Sequence, residues 1–114
     1  MAVRIDVEDR SGVSVLRLTG EMSATDNAAF MEAVMPLVEK GTGTRIVLDM
    51  GGVTMIGSVG LGSLVRVTAQ VNSRGGRLLL TDLKPFVADL LKVTNLDRFF
   101  ETCKSVEEAI ERLG

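Results

Sequence analysis

Val3, Ile5 and Val7 alternate with Arg4 and Asp6, the two-residue period of a strand with one buried face. Glu8-Asp9-Arg10-Ser11-Gly12 reads as a turn, and Val13, Val15, Leu16 and Leu18 resume the apolar pattern, so the two runs predict a β-hairpin. Residues 20–26 form a polar loop in which Ser23, Thr25 or Asp26 would cap a following helix. Phe30, Val34, Leu37 and Val38 share one face of that helix, with Met31 and Met35 beside it. Pro36 lacks an N–H and clashes with the carbonyl four residues earlier, which predicts a kink or a restart. Lys40-Gly41 supplies the stop.

The chain is organised around residues 44–75. Arg45-Ile46-Val47-Leu48-Asp49-Met50 predicts a buried strand, and Gly51-Gly52 a turn. Alternation then gives way to mostly apolar positions at 61, 64, 65, 68 and 71/72, the spacing of an amphipathic helix. Arg77-Leu78-Leu79-Leu80-Thr81 has strand length and is apolar enough to be buried on both faces beside Ile46 and Leu48. Strand, helix and strand make a βαβ unit with a right-handed crossover. Pro85 opens a short helix with Val87, Leu90 and Leu91 inward, and residues 96–102, with Phe99 and Phe100, read as a last short strand. Ser105 and Glu108 have capping-box spacing before a helix whose apolar face is Val106, Ala109, Ile110 and Leu113.

At 114 residues with 46% apolar content, the chain fits one packed core, and residues 1–114 are expected to be a single domain. The net charge of −2 provides no basic face for DNA or RNA. No histidine is present, which removes Ser-His-Asp and Cys-His catalysis, histidine metal ligands and histidine phosphotransfer. Without Trp or Tyr, there are few aromatic platforms for bases or sugars. Cys103 is the only cysteine, so no internal disulfide forms, and a reducing cytoplasm is the expected location. Charges near the N-terminus, and the absence of an apolar run near ~20 residues, predict neither a signal peptide nor a membrane span. No cofactor or metal is expected, and the oligomeric state stays open between monomer and weak dimer.

The strand handing over to the helix places Ser58 in the helix's first turn, where unpaired backbone N–H groups and the positive end of the dipole favour an anion by ~0.3–1 kcal/mol. Ser58 thus serves either as a cap or as a hydroxyl to carry a phosphate. Gly57, Gly60 and Gly62 remove side chains around it, which would let a partner approach closely. Gly57-x-x-Gly60-x-Gly62 is not a nucleotide fingerprint, because the spacing is reversed and no Lys-Ser/Thr follows. Asp49 lacks the companion acids and lysine of a phosphoaspartate site, which leaves it a turn or cap role. Nothing shows Glu21, Asp26 and Asp49 converging as a carboxylate site. Cys103 reads as a packed side chain, Met31 and Met35 as core, and Ser63 and Thr54 as structural.

Asp49-Met50-Gly51-Gly52-Val53-Thr54-Met55-Ile56 followed by Gly57-Ser58-Val59-Gly60-Leu61-Gly62 resembles the STAS-domain anti-sigma factor antagonists. The likeness extends through Leu16-Arg17-Leu18-Thr19-Gly20-Glu21, Gly75-Gly76-Arg77-Leu78 and Thr94-Asn95-Leu96-Asp97-Arg98-Phe99-Phe100. It implies a mixed, mostly parallel α/β sheet of four or five strands with an N-terminal hairpin and about four helices. It also implies a binding protein rather than an enzyme. In the family the segment reads Asp-Ser-Ser/Thr-Gly-Leu-Gly, and its first serine, matching Ser58, is phosphorylated by an anti-sigma factor that is also a serine kinase. A Ser/Thr phosphatase resets it. The implied partner surface is Gly57, Ser58, Val59, Gly60, Leu61 and Gly62 with Glu21, Met22 and Ser23. This chain has Gly57 in place of the acid, Val59 in place of the second hydroxyl, and Gly20-Glu21-Met22-Ser23 where the family has an Asp. Those departures motivate an alternative: a constitutive binding or scaffold module that is not phosphorylated and could take a small-molecule ligand.

Overall fold

A two-residue turn starts the sheet. Ser11 and Gly12 both have positive φ, 56° and 85°, as the primed turns of tight hairpins require, and Arg10 pairs with Val13 across them. The computed structural model describes residues 3–24 and 27–114. Their elements are β1 (Arg4–Arg10), β2 (Val13–Met22), α1 (Asn27–Glu39), β3 (Arg45–Ile56), α2 (Ser58–Ser73), β4 (Arg77–Thr81), α3 (Pro85–Val93), β5 (Glu101–Cys103) and α4 (Val106–Leu113). The sheet order is β1-β2-β3-β4-β5; the first pair is antiparallel and the others are parallel. This is the mixed, mostly parallel α/β architecture that the resemblance implies, with the N-terminal hairpin that the pattern predicts.

Helices cover both faces, which is why the central strands are apolar on both sides. Leu16, Leu18, Ile46, Leu48, Met50, Leu78 and Leu80 face the side occupied by Phe30 and Val34 of α1, Leu64 and Val67 of α2, and Leu91 of α3. Val13, Val15, Val47, Leu79 and Cys103 face Val106, Ala109 and Leu113 of α4. On the α4 face, Arg17 joins three strands, at 2.7 Å from Glu8 and 3.6 Å from Asp49. Its hydrogen bond holds the Glu8 carboxyl below the ordinary carboxylate range. The groups are solvated, so the pair orders the hairpin more than it stabilises it.

The central strands depart from the sequence expectation in an informative way. β2 continues to Met22, so residues 20–22 are strand rather than loop. β3 runs through Gly51-Gly52 instead of turning there. Its register shows the reason: Arg17 pairs with Asp49 but Thr19 with Gly52, and Gly20 with Val53 but Glu21 with Met55. Twice β3 uses one residue more than β2, the signature of a β-bulge. A Cβ on Gly52 would lie 2.8 Å from the Leu18 carbonyl oxygen, so backbone approach rather than a turn requires glycine. The Gly51 N–H donates to Asp49 Oδ1 at 2.9 Å, which gives Asp49 its local capping role.

α1 is continuous through Pro36, so of the two outcomes expected there, a kink or a restart, the restart does not occur. Pro36 and Glu32 are both exposed, so the carbonyl that the proline leaves unpaired lies on the solvent side of the helix. α1 is described from Asn27, and its start, with the capping candidates Thr25 and Asp26, lies outside the described residues. β5 is shorter than expected, because residues 97–100 fold into a turn that buries Phe100 against an edge-on Phe99 at 5.1 Å. At α4 the serine half of the capping box forms: Ser105 Oγ accepts from the Glu108 N–H at 3.2 Å, while the Glu108 carboxylate accepts from Arg112. Ser105→Ala should cost about 1 kcal/mol, lowering the thermal midpoint by roughly 3–6 °C, while Ser105→Asp should keep the wild-type midpoint in a calorimetric scan.

Candidate functional site

The end of β2 and the start of α2 meet at one backbone atom. The Met22 carbonyl accepts the Gly57 N–H at 2.9 Å, just where Met22 pairs with Ile56 across the sheet. Gly57 is the N-cap, extended at φ −86° and ψ 175°, and its own carbonyl accepts the Leu61 N–H at 2.9 Å to start the helix. Ser58 is therefore the first helical residue, not the cap, and its side chain is exposed. The first turn of α2 carries no acidic residue, so no carboxylate of its own offsets the positive end of its dipole.

Gly60 has a different task from the one its sequence context suggested. It is buried, and a Cβ there would sit 2.4 Å from the Met22 carbonyl oxygen and 3.0 Å from Met22 Cβ. Glycine at 60 lets the helix lie on the strand; it does not open a surface to a partner. Met22 is likewise a core residue, 2% exposed, rather than a contact residue. Of the other positions, Ser58, Val59 and Gly62 are exposed, and Gly57, Leu61, Glu21 and Ser23 are half-buried along the same rim. Nothing lies within 4 Å of a Cβ at Gly62, so that glycine does face open space. Met55, 37% exposed, and Thr54 are exposed near the end of β3. Their exposure escaped the sequence because the bulges of β3 read as a turn, which hid how far the strand carries beyond its core positions.

Behind the rim, Ser63 fixes the two helices. Its Oγ donates to Asn27 Oδ1 at the start of α1 and also lies 3.1 Å from the Val59 carbonyl. Ser63 is thus structural, as expected, and Thr54 is the additional residue of the second bulge. The carboxylates do not converge: Asp49 is held by Gly51 and Arg17, whereas Glu21 lies opposite Met55 near the end of β2. Asp26 lies outside the described residues. Among the described residues, no group of three His, Cys, Asp or Glu side chains is placed to hold a metal ion. Burial pushes the Cys103 thiol above its ordinary pKa, which keeps it protonated and poorly nucleophilic. Cys103 lines a cleft of about 400 Å³ with Asp82, Lys104, Glu108 and Arg112, on the α4 side of the sheet rather than the α2 side.

The STAS domain family model matches residues 4–109. The chain belongs to the STAS domain family. BtrV of Bordetella bronchiseptica is 30% identical to it over 108 residues, 94% of this chain and 91% of that one. The anti-sigma-B factor antagonist of Bacillus subtilis is 26% identical over 111 residues, covering 97% and 100% of the two chains. The crystal structure of TM1081 from Thermotoga maritima superposes with a TM-score of 0.88 at 26% identity, over 96% of this chain and 93% of that one. Within the STAS sheet, the close contact at Met22 separates the three glycines by role. Gly60→Ala should destabilise by about 1–3 kcal/mol through overpacking, and Gly62→Ala should stabilise by up to about 1 kcal/mol through helix propensity. Urea denaturation of the two variants reads the difference.

Proposed function

We propose that this single STAS domain is an anti-sigma factor antagonist controlled at Ser58. Unphosphorylated, it binds an anti-sigma factor that is also a serine kinase, and so releases a sigma factor. The kinase transfers the γ-phosphoryl group of ATP to Ser58 Oγ; the hydroxyl proton is lost and ADP leaves. A Ser/Thr phosphatase hydrolyses the ester with water, returning serine and inorganic phosphate. The protein acts by binding rather than by catalysis. Its site of action is the cytoplasm, without direct contact with nucleic acid or membrane; among the described residues, no helix is long and apolar enough to cross a membrane.

The observation that carries this reading is the exposure of Ser58 as the first helical residue of α2, beside the exposed Val59 and Gly62 of the same helix. A phosphate adds about −1.5 to −2 charges at the centre of such a contact, and must be desolvated for the partner to rebind. The same phosphate suits the helix N-terminus, so the fold has no reason to change. Control then acts on the interface while the domain stays intact. Gly57 and Val59, where the family has an acid and a hydroxyl, favour a second reading in which the module binds constitutively and is not phosphorylated.

Ser58→Asp should weaken binding to the anti-sigma factor by at least about tenfold, near 1.4 kcal/mol, while Ser58→Ala binds like the wild type; titration calorimetry measures both. Equal binding by the two variants would contradict the switch. Incubation with the kinase and ATP, followed by mass spectrometry, separates the readings. One phosphate on Ser58 supports the switch, and binding without phosphate supports the constitutive module.

A further inference from the structure

The segment that joins α1 to β3 reads Lys40-Gly41-Thr42-Gly43-Thr44-Arg45 and stands at the opposite end of β3 from Ser58. It borders a cavity of about 280 Å³ that Ser14, near the start of β2, also lines. No carboxylate lines this cavity among the described residues, although the chain has 15 acidic residues against 13 basic ones. Neither Lys40 nor Arg45 forms a salt bridge among the described residues. Arg45 is half-buried, and its Nη1 donates to the Leu113 carbonyl at 2.9 Å. That bond fixes the guanidinium without neutralising it and leaves its other N–H groups to donate elsewhere. A partly buried cation without a counter-charge is costly, and an anion in the cavity removes that cost. Two backbone bonds hold the segment in place: the Gly43 N–H donates to the Arg74 carbonyl and the Arg77 N–H to the Thr44 carbonyl, each at 2.9 Å. The carbonyl ends of α1 and α4 at this end of the molecule carry roughly −0.5 charge each, which the two cations exceed.

We infer that this cavity binds a small phosphate-bearing anion, held by the Lys40 ammonium and the Arg45 guanidinium with the hydroxyls of Ser14 and Thr42. The Thr44 hydroxyl is not part of the set, because it donates to the Leu37 carbonyl at 3.5 Å. A cavity of about 280 Å³ lies at the lower edge of small-molecule sites, and no aromatic side chain lines it to stack a base. The ligand class is therefore inorganic phosphate or a small phosphomonoester rather than a nucleotide. The length of β3 separates the cavity from Ser58, so an occupied cavity leaves the surface around Ser58 free.

NMR titration of the full chain with inorganic phosphate and, separately, with glycerol 3-phosphate tests this, with sodium chloride at matched ionic strength as the control. The amides of residues 41–45 should shift along a saturating curve with at least one of the two probes. Tighter saturation by glycerol 3-phosphate assigns the site to phosphomonoesters, and tighter saturation by inorganic phosphate assigns it to the free ion. Lys40→Gln and Arg45→Gln should each weaken that binding by at least about tenfold, while Lys92→Gln, exposed on α3, leaves it unchanged. Lys40 is exposed and carries no hydrogen bond of the fold among the described residues, so its variant keeps the test decisive even if Arg45→Gln unfolds. Shifts that do not saturate, or that sodium chloride reproduces, overturn the inference. So do saturating shifts confined to residues 57–61 at the start of α2, or wild-type affinity in either folded variant.

Discussion

The carbonyl oxygen of Met22 is the point on which the exposed serine depends. It belongs to the last residue of a strand whose side chain is sealed in the core, so its position is set by the sheet. A carbonyl so close to the core needs a donor, and the Gly57 N–H provides one at 2.9 Å. That bond fixes the residue that caps α2. The helix can then descend only if the residue three positions on has no Cβ, a demand met by Gly60. Once residues 57 and 60 face inward, Ser58 and Val59 are turned toward solvent by helix geometry alone. The serine is presented by rigid backbone rather than by a loop.

The bulges of β3 supply the other half of this arrangement. Each inserts one residue more than β2 provides, which increases the local twist and carries the end of the strand past β4, whose last registered partner is Asp49. The Asp49 carboxylate and the bare Gly51-Gly52 backbone make the first bulge possible without strain from side chains. The strand therefore arrives at Ile56 already turned toward the start of α2. Ser63 then ties α2 to Asn27 at the first residue of α1, so the helix openings behind the rim hold each other. A rim built this way can be altered by one phosphate without a change of fold, because none of the bonds that hold it runs through the Ser58 hydroxyl among the described contacts.

The architecture was legible because its signals were local and strong: alternation in β1, the doubly apolar runs of β3 and β4, the capping box of α4, and the change from strand to helix spacing before Ser58. What escaped the sequence was tertiary in origin. Gly51-Gly52 reads as a turn in isolation, and only the register against Leu18 and Thr19 shows it as a bulge. Gly60 and Gly62 are indistinguishable by residue type, yet one is pressed on a carbonyl and the other faces open space. Met22 sits in a polar segment and reads as loop, whereas the continuing strand draws it into the core. Pro36 breaks the local rule for helices, and its exposure on α1 removes most of the consequence.

Amide hydrogen exchange followed residue by residue by NMR tests the central contact most directly. Ser58 and Val59 lie in the first turn, where N–H groups have no intrahelical acceptor, so their amides should exchange rapidly. The Gly57 amide, bonded to Met22, should exchange more slowly by at least about tenfold despite its place at the surface. If Gly57 exchanges as fast as Ser58, the strand does not hold the start of the helix, and the account of how the serine is presented is wrong.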